Sequence, residues 1–267
     1  MATETPVRIG IAGALGRMGR AVTTMVEARS DLTIAALYDA PGSEGQIVEA
    51  AGGRVLVTRA QAVEACDAII DFTIPAASAA LAHLVADKGG PALIIGSTGL
   101  SDAQEAVIAQ AAARVPVVRS RSFSLGVNTL LGLVRQAAER LGPEAWDIEV
   151  FEAHHNRKVD APSGTALMLG EAAAEGRGVK LSDVSDRGRD GITGPRKTGD
   201  IGFSVMRGGD IIGEHQVIFA GQNEILTLGH SSRDRALFAQ GAVQAALWSS
   251  GKPAGLYDML DVLGFKG

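Results

Sequence analysis

Four residues with cationic or titratable side chains, His154, His155, Arg157 and Lys158, lie within five consecutive positions of the chain. Imidazole and ammonium groups exchange protons in catalysis, and clustered positive charge attracts carboxylates. Residues 163–165 read Ser-Gly-Thr, which is typical of a helix start whose free N–H groups form an anion site. The stretch therefore predicts a centre that binds a carboxylate-bearing substrate and moves a proton.

Two alternatives use the same residues without a substrate. His154 and His155 are adjacent, so on an extended chain their side chains point to opposite sides and cannot easily share a metal ion; no metal site is expected. Ser163 can be a helix N-cap and nothing more. A cap alone does not account for the cations gathered beside it, since they repel one another. We therefore favour an anion site at the free N–H groups of Ser163, Gly164 and Thr165.

A strand and a helix must hold this stretch in place. Residues 147–153 alternate apolar and acidic side chains, which predicts a strand, and a helix is expected to open near Thr165 and fade at Gly176. The other predicted elements are a helix at 126–141, a long loop at 181–200, and strands at 201–207, 210–219 and 224–230. Residues 126–234 are thus predicted to form a substrate-binding α+β domain with a mostly antiparallel sheet.

A glycine-rich loop follows the first predicted strand of the chain. Residues 10–19 read GIAGALGRMG, between a strand at 7–12 and a helix at 16–28. Glycines at such a place let the backbone approach a pyrophosphate, whose charge is favoured by the free N–H groups of the helix start. The spacing is GxxGxxG rather than the usual GxGxxG, so the prediction of a dinucleotide site depends on the strand before the loop and the helix after it.

The second predicted strand, residues 32–38, ends directly before Asp39. An acid at this place accepts hydrogen bonds from the adenosine ribose and repels a 2′-phosphate. Ala40 offers no cation to offset that repulsion, although Arg17 lies close enough to weaken it. The alternative is a tight turn with a solvent-facing Asp39. We expect NADH to be preferred over NADPH.

Short apolar runs and helical stretches alternate up to about residue 119. The predicted strands are residues 68–72, 92–96 and 116–119, and the predicted helices are residues 75–88 and 102–114. This alternation predicts an α/β fold with a Rossmann-like, doubly wound parallel sheet, whose strand ends at 71–73 and 96–99 border the cofactor. A last helix at 235–249 is expected to return to this domain, which then spans residues 1–125 and 235–267.

Composition excludes several classes of function. A formal net charge of −5 over 267 residues does not favour nucleic acid as a partner. Cys66 is the only cysteine, which excludes a disulfide framework and favours a small buried residue. No membrane span and no secretion signal are visible in the sequence, so we expect a cytoplasmic protein without membrane partners.

The element HHxxKxDAPSGTA, residues 154–166, is long and specific. Further matching motifs lie at residues 13–19, 71–73, 96–99, 123–128, 207–215 and 238–242. Together they resemble the 4-hydroxy-tetrahydrodipicolinate reductase (dihydrodipicolinate reductase) family over nearly the whole chain. The resemblance implies an oxidoreductase of lysine and diaminopimelate biosynthesis that uses NADH or NADPH to form tetrahydrodipicolinate from its hydroxylated precursor. It also implies a homotetramer joined through the sheet of the second domain.

The same resemblance implies roles for individual residues. His154 and Lys158 form the catalytic acid–base pair, with Lys158 donating the proton after hydride arrival. The substrate contacts are His155, Ser163, Gly164, Thr165 and Thr98. The cofactor contacts are Gly13, Ala14, Leu15, Gly16, Arg17, Met18, Asp39, Phe72, Gly96, Ser97, Thr98, Arg121, Ser122, Phe123 and Ser124.

The chain departs from the family pattern near the predicted nicotinamide pocket. It has Arg121 between two serines where relatives show small residues and Asn, and Ile74 where some relatives carry a cation. These changes weaken the case for NADPH more than the case for the reaction. Two alternatives stay open: another two-domain dehydrogenase, which has no reason to keep the Ser-Gly-Thr anion site, and a non-catalytic dinucleotide sensor, which has no reason to keep His154 and Lys158.

Overall fold

The computed structural model describes residues 5–266. The strands are β1 (Val7–Ala12), β2 (Leu32–Tyr38), β3 (Ile47–Val48), β4 (Arg54–Val55), β5 (Ala68–Asp71), β6 (Ala92–Ile95), β7 (Pro116–Arg119), β8 (Asp147–His154), β9 (Ser185–Asp186), β10 (Ile201–Arg207), β11 (Glu214–Ala220), β12 (Ile225–Ser231) and β13 (Gly255–Tyr257). The helices are α1 (Arg17–Glu27), α2 (Arg59–Ala65), α3 (Pro75–Lys88), α4 (Asp102–Ala112), α5 (Leu125–Arg140), α6 (Gly164–Gly176), α7 (Leu181–Val184), α8 (Ala236–Ser249) and α9 (Met259–Val262). In this part of the chain no helix combines the length and the apolar character that a membrane crossing needs.

The chain divides into two compact units. One comprises Met1–Leu125 with Ala236–Gly267, and the other comprises Gly126–Arg235. The predicted first domain includes residues 1–4 and 267, which lie outside the described residues. The expected absence of a secretion signal also concerns residues 1–4.

The first unit contains a parallel sheet with the strand order β13-β7-β6-β5-β1-β2. Its strands are mostly apolar because both faces are covered, α1 and α8 packing on one face and α2, α3 and α4 on the other. The chain runs from β1 outward to β2, and then from β5 outward in the other direction to β6 and β7. The direction therefore switches between β1 and β5, where such sheets bind ligands. This topology confirms the predicted Rossmann-like fold.

Helix α8 is the last helix predicted from the sequence, and it packs on β5, β6 and β7. Gly241 permits this packing, since a Cβ atom there would lie 1.6 Å from the carbonyl oxygen of Phe123. Strand β13 then adds an edge beside β7. The sequence did not predict β13, because a three-residue strand is too short to reveal a period.

The second unit contains a mixed sheet with the order β12-β11-β8-β10-β9. Strand β11 pairs antiparallel over seven residue pairs with each neighbour, whereas β10 pairs parallel over seven residue pairs with β8 and over two with β9. Antiparallel pairing thus predominates, as predicted. The parallel neighbours of β10 were not foreseen.

Two predicted boundaries in this unit are wrong. The long loop expected at residues 181–200 contains α7 and β9. The strand expected to start at Asp210 starts at Glu214 instead, because the backbone before it bonds to the turn after β8. Gly208 N–H donates to the His154 carbonyl, and His155 N–H donates to the Ile211 carbonyl.

Candidate active site

One face of the second sheet changes from apolar to polar along β8. Side chains alternate between the two faces of a strand, so Ile148, Val150, Glu152 and His154 share one face, and all four are buried. Helix α6 packs on β8, β10 and β11. The polar end of this face therefore combines an acid and an imidazole in an otherwise apolar core.

The sheet register brings two distant residues to the same place. Arg207 on β10 is the partner of His154, and His215 on β11 is the partner of Glu152. The rings of His154 and His215 meet edge to face with centroids 5.1 Å apart. Four polar side chains from three strands thus form one cluster, which we call the Glu152 cluster: Glu152, His154, Arg207 and His215.

Glu152 is fully buried and accepts four hydrogen bonds. Arg207 donates one to each carboxylate oxygen at 2.8 Å, His154 Nδ1 lies 2.5 Å from Oε2, and Ser163 N–H lies 2.9 Å from Oε1. Burial alone would raise the pKa of this carboxyl, but the hydrogen bonds from Arg207, His154 and Ser163 outweigh burial and hold that pKa below its ordinary value. Glu152 is therefore a fixed anion that orients three groups at once.

The bond to Glu152 determines how His154 presents its ring. A carboxylate only accepts, so Nδ1 carries the hydrogen and Nε2 is the nitrogen that can exchange a proton with a ligand. Gly213 lies beside Nε2, because a Cβ atom built there would be 3.2 Å away. Orientation by a carboxylate and a small neighbour suit His154 to the acid–base role predicted for it.

His215 supports the start of α6 from the opposite strand. Its Nε2 lies 3.2 Å from Ser163 Oγ, and the same hydroxyl oxygen accepts the N–H of Ala166 as the helix N-cap. Burial, reinforced by the charge of His154, lowers the pKa of His215 to about 4. His215 is consequently neutral near pH 7 and accepts or donates a single bond to Ser163.

The start of α6 differs in one respect from the sequence prediction. Ser163 N–H was expected to be free, but it donates to Glu152, because the buried carboxylate needs that donor. The N–H groups of Gly164 and Thr165 have no acceptor within the helix, and the structure assigns them no other partner among residues 5–266. Of the three N–H groups expected to form an anion site, only those of Gly164 and Thr165 are therefore left for it.

Lys158 does not lie among cations alone, as the sequence suggested. Its Nζ is 2.7 Å from Asp160 Oδ1, and the bond from Lys158 lowers the pKa of the Asp160 carboxyl. Asp160 also fixes the turn, since its backbone carbonyl accepts a bond from Arg207 at 2.7 Å. The turn therefore holds a partly buried ammonium group close to the Glu152 cluster.

His155 and Arg157 occupy more exposed parts of the same turn. Partial burial, followed by the charge of Arg157 and then of other neighbouring cations, lowers the pKa of His155. Arg157 pairs with Asp210 at 2.7 Å, and both side chains are largely exposed. Arg157 is therefore neutralised at the surface, and the substrate contact by His155 stays a prediction.

Sequence reasoning missed four members of this site: Glu152, Asp160, Arg207 and His215. Glu152 carried a usable signal, since an acid two residues before a histidine on a strand shares its face. Arg207 and His215 lie more than fifty residues further along the chain than Glu152, and only the sheet register shows that they are close to it. Asp160 was visible in the motif, but nothing in the spacing revealed its pairing with Lys158.

In the first unit, the glycine loop connects β1 to α1. Gly13 has a φ of +69°, and a Cβ atom on Gly19 would lie 2.1 Å from the Gly13 carbonyl oxygen, so both positions require glycine. Gly16 is the N-cap of α1, and the N–H groups of Arg17 and Met18 lie in its first turn. The backbone of this loop suits a pyrophosphate, whereas the side chains of Ala14, Leu15 and Met18 pack into the core.

Asp39 is held firmly at the end of β2. Its carboxylate accepts Leu15 N–H and Ala40 N–H, both at 2.8 Å. Asp39 does not simply face solvent in a turn, because one of its carboxylate oxygens accepts the Leu15 N–H of the glycine loop. Arg17, by contrast, has an exposed side chain.

The other predicted cofactor residues lie at the ends of β5, β6 and β7. Phe72 packs across Gly96 and meets Phe123 edge to face at 5.5 Å, so the two rings tie the three strand ends together. Ser97, Ser122, Phe123 and Ser124 are buried, whereas Thr98 and Arg121 are exposed. The buried members are suited to contacts through the backbone more than through the side chain.

Comparison with known proteins supports the resemblance seen in the motifs. The model described as "Dihydrodipicolinate reductase, N-terminus" matches residues 7–123, and the model described as "Dihydrodipicolinate reductase, C-terminus" matches residues 126–263. The chain is 64% identical over 261 residues to the 4-hydroxy-tetrahydrodipicolinate reductase of Caulobacter vibrioides, with 98% of each chain covered. It is 50% identical over 270 residues to the enzyme of the same name from Roseobacter denitrificans, again with 98% of each chain covered.

A solved structure agrees with the fold. The dipicolinate-bound dihydrodipicolinate reductase from Paenisporosarcina sp. superposes with a TM-score of 0.76 at 21% identity, covering 96% of this chain and 99% of that one. At that identity the likeness establishes the architecture alone, while the two family models together span most of the chain. The chain belongs to the dihydrodipicolinate reductase family.

Proposed function

We propose that this chain is a 4-hydroxy-tetrahydrodipicolinate reductase that transfers a hydride from a nicotinamide dinucleotide to a cyclic dicarboxylate. The hydroxylated precursor takes up a hydride and a proton and loses one water to give tetrahydrodipicolinate, while the dinucleotide is oxidised. The observation that carries the proposal is the Glu152 carboxylate, which binds both the His154 ring and the Ser163 N–H at the start of α6. One buried group thereby positions an acid–base residue and an anion site together. The cytoplasm stays the predicted compartment.

In the second unit, the substrate carboxylates are received by the N–H groups of Gly164 and Thr165, with His155 beside them. Ser163 contributes by capping the helix rather than by touching the substrate. Thr98, from the first unit, stays a predicted contact. This arrangement suits a small acid with two carboxylates, because the helix start offers directed donors and the turn offers positive charge.

Proton transfer is assigned to Lys158 and His154. The dinucleotide supplies the hydride when it is bound, and the reaction then needs a proton to neutralise the substrate. Lys158 carries an ammonium hydrogen that Asp160 holds in one direction. His154 is oriented by Glu152 with Nε2 available, so it stabilises the transferred charge or returns the proton to Lys158.

The first unit is suited to hold the dinucleotide. The positive φ of Gly13 and the close approach of Gly19 to the Gly13 carbonyl oxygen shape a tight turn into α1. The first N–H groups of that helix are suited to receive a pyrophosphate. Asp39, fixed by two backbone N–H groups, accepts the ribose hydroxyls and repels a 2′-phosphate. We therefore propose NADH as the preferred cofactor, with the exposed Arg17 as a cation that reduces the preference.

The second sheet also supports an oligomer. The face opposite the Glu152 cluster includes Met206 and Ile225, which are 48% and 68% exposed. Exposed apolar residues on a broad sheet favour contact between copies. We propose a homotetramer assembled through this face, whose mass light scattering in solution would report.

A coupled assay tests the activity. Pyruvate and aspartate semialdehyde are condensed enzymatically to generate the unstable substrate, and absorbance of the reduced dinucleotide is followed. We expect oxidation of NADH that depends on both precursors. Absence of turnover with NADH and with NADPH would exclude the reductase function.

A further inference from the structure

Asp71 is a buried acid of the first unit that the proposed reaction does not use. It is the last residue of β5 and is completely buried. Its Oδ1 accepts two hydrogen bonds from Thr73, one from the N–H at 2.8 Å and one from the hydroxyl at 2.5 Å. Its Oδ2 has no hydrogen-bond partner anywhere in residues 5–266. A buried polar atom without a partner is rare and calls for an explanation.

The position of Asp71 relates it to the predicted cofactor residues of the same unit. Asp71 pairs with Ala12 on β1, so it sits at the point where the strand order switches direction. Its carbonyl accepts the N–H of Gly96 at 2.8 Å, which joins the ends of β5 and β6. The methyl group of Thr73 lies 2.9 Å from where a Cβ atom on Gly13 would be. Asp71 thus anchors a residue that packs against the glycine loop.

The strand order indicates which half of a dinucleotide passes this point. Asp39 at the end of β2 is the proposed ribose contact, and the glycine loop after β1 is the proposed pyrophosphate contact. Because β5 lies on the side of β1 opposite to β2, the remaining half of a dinucleotide bound in this way would extend towards β5. That half carries the nicotinamide ring.

The charge of Asp71 is not balanced by a nearby cation. Among residues 5–266, no lysine, arginine or histidine nitrogen lies within 4.0 Å of its carboxylate. Tyr38 on β2 pairs with Ala12 on β1, the residue that also pairs with Asp71. The pKa of Tyr38 is raised first by burial and next by the charge of Asp71, while Arg59 acts on Tyr38 in the opposite sense.

We propose that Asp71 is a specificity residue for the oxidation state of the dinucleotide, favouring the cationic oxidised nicotinamide ring over the neutral reduced ring. The two forms differ by one positive charge on that ring, so a buried uncompensated anion nearby discriminates between them. An anion at Asp71 would also favour the positive charge that the ring gains when it gives up a hydride. This inference rests on the proposed dinucleotide binding.

Two variants separate charge from packing. Asp71→Asn removes the charge and retains an oxygen that can accept from Thr73. Its NH₂ group takes the place of Oδ2, which forms no hydrogen bond, so no existing bond is broken. Thr73→Val is the matched control, because it deletes the hydroxyl that bonds to Asp71 but keeps the charge and a methyl group facing Gly13. Calorimetric titrations with NAD⁺ and with NADH, without substrate, give the ratio of the two dissociation constants for each protein.

We expect Asp71→Asn to weaken NAD⁺ binding on the order of fivefold more than NADH binding. Thr73→Val should weaken both forms alike and leave their ratio within about twofold of the unchanged chain. If Asp71→Asn does not fold, Asp71→Ser serves instead, since it is neutral and its hydroxyl can accept from Thr73.

Three results overturn the proposal: an unchanged ratio in the neutral variant, an equal shift of the ratio in Thr73→Val, or a shift that favours NAD⁺. Failure of the proposed dinucleotide binding gives a different result, because the unchanged chain would then bind neither form. Failure of the reductase function alone is reported by the coupled assay, as absence of turnover in a chain that still binds the dinucleotide.

Discussion

Each unit of the molecule buries a carboxylate near the end of a strand, and the two carboxylates are treated very differently. Glu152 receives four donors, including a guanidinium and an imidazole. Asp71 receives two donors, both from Thr73, and keeps one oxygen without a partner. A fully bonded anion fixes the groups around it, whereas a partly bonded anion keeps a field that a ligand can feel. Glu152 therefore fixes the side chains around it in the second unit, whereas Asp71 in the first unit has the role in cofactor discrimination that we propose above.

The largest expected effect is loss of stability when the charge of Glu152 is removed. All four atoms that bond to this carboxylate are donors, so Glu152→Gln turns an NH₂ group towards at least one of them and leaves Arg207 without its counter-charge. We expect the free energy of unfolding to fall by about 3 kcal/mol. Asp71→Asn is the matched comparison and should cost about 1 kcal/mol, since it buries an NH₂ group without an acceptor but breaks no ion pair. Urea unfolding measures both, and equal losses would remove the contrast.

A second expectation concerns the pH dependence of stability and follows from His215 in the Glu152 cluster. The pKa of His215 is about 4 in the folded chain against an ordinary 6.5, so on acidification the unfolded chain binds a proton before the folded chain does. The stability due to neutral His215 is complete above the ordinary value and is lost as the pH falls towards 4. Between pH 7 and pH 5 we expect a loss of about 2 kcal/mol from this group.

His215→Gln tests that expectation, because its amide can still bond to Ser163 but does not titrate. The difference in unfolding free energy between pH 7 and pH 5 should shrink by about 2 kcal/mol in this variant. The interval from pH 5 to pH 7 lies above the ordinary pKa of a glutamate. Because the pKa of Glu152 is lowered further, its contribution to stability is lost only at lower pH. An identical pH dependence in both proteins would contradict the low pKa of His215.

Turnover distinguishes the two cations of the turn. Lys158→Ala should reduce kcat about a hundredfold if Lys158 is the proton donor. Arg157→Ala is the control from the same turn, since Arg157 forms an exposed pair with Asp210 and should leave kcat nearly unchanged. A normal kcat in Lys158→Ala would mean that Lys158 is not the proton donor, which leaves His154 for that role.

The smallest expected effect is in cofactor preference. Asp39→Ala removes the anion proposed to repel a 2′-phosphate, so kcat/KM with NADPH relative to NADH should rise about tenfold. Because Asp39 also binds Leu15 N–H, binding of both cofactors should weaken slightly. Arg17→Ala should shift the ratio in the other direction. No shift in either variant would mean that neither side chain faces the ribose.

The sequence predicted local features well and long-range pairings poorly. Alternation of apolar and polar residues located β8, and the Ser-Gly-Thr run located the start of α6, because both signals depend on neighbouring residues. Arg207 and His215 reach Glu152 only through pairing of β8 with β10 and β11, which no local pattern encodes. The same reason explains why Ser163 N–H was expected to be free.

The charge pattern of the sequence showed where cations cluster but not which acids pair with them. The cluster of cations at residues 154–158 was correctly located, yet Asp160 and Asp210 neutralise two of its members. An acid two residues after Lys158 is visible in the sequence, but spacing alone does not reveal which rotamers bring the charges together. The sequence also could not predict that Asp71 Oδ2 lacks a hydrogen-bond partner. The burial of this strand end depends on helices that pack on the sheet, and no local pattern reveals that packing.

The parallel-sheet unit is discontinuous in the chain, and this affects the order in which it can be completed on the ribosome. Helix α8 covers β5, β6 and β7, and strand β13 closes one edge, yet both emerge only after all of residues 126–235 have been synthesised. Until then, the nascent sheet exposes apolar residues such as Ile70, Ile94 and Val118, which in the finished fold share a core with α8. The second unit, by contrast, is one uninterrupted segment and can fold first, while the earlier segment awaits its cover and needs protection from aggregation.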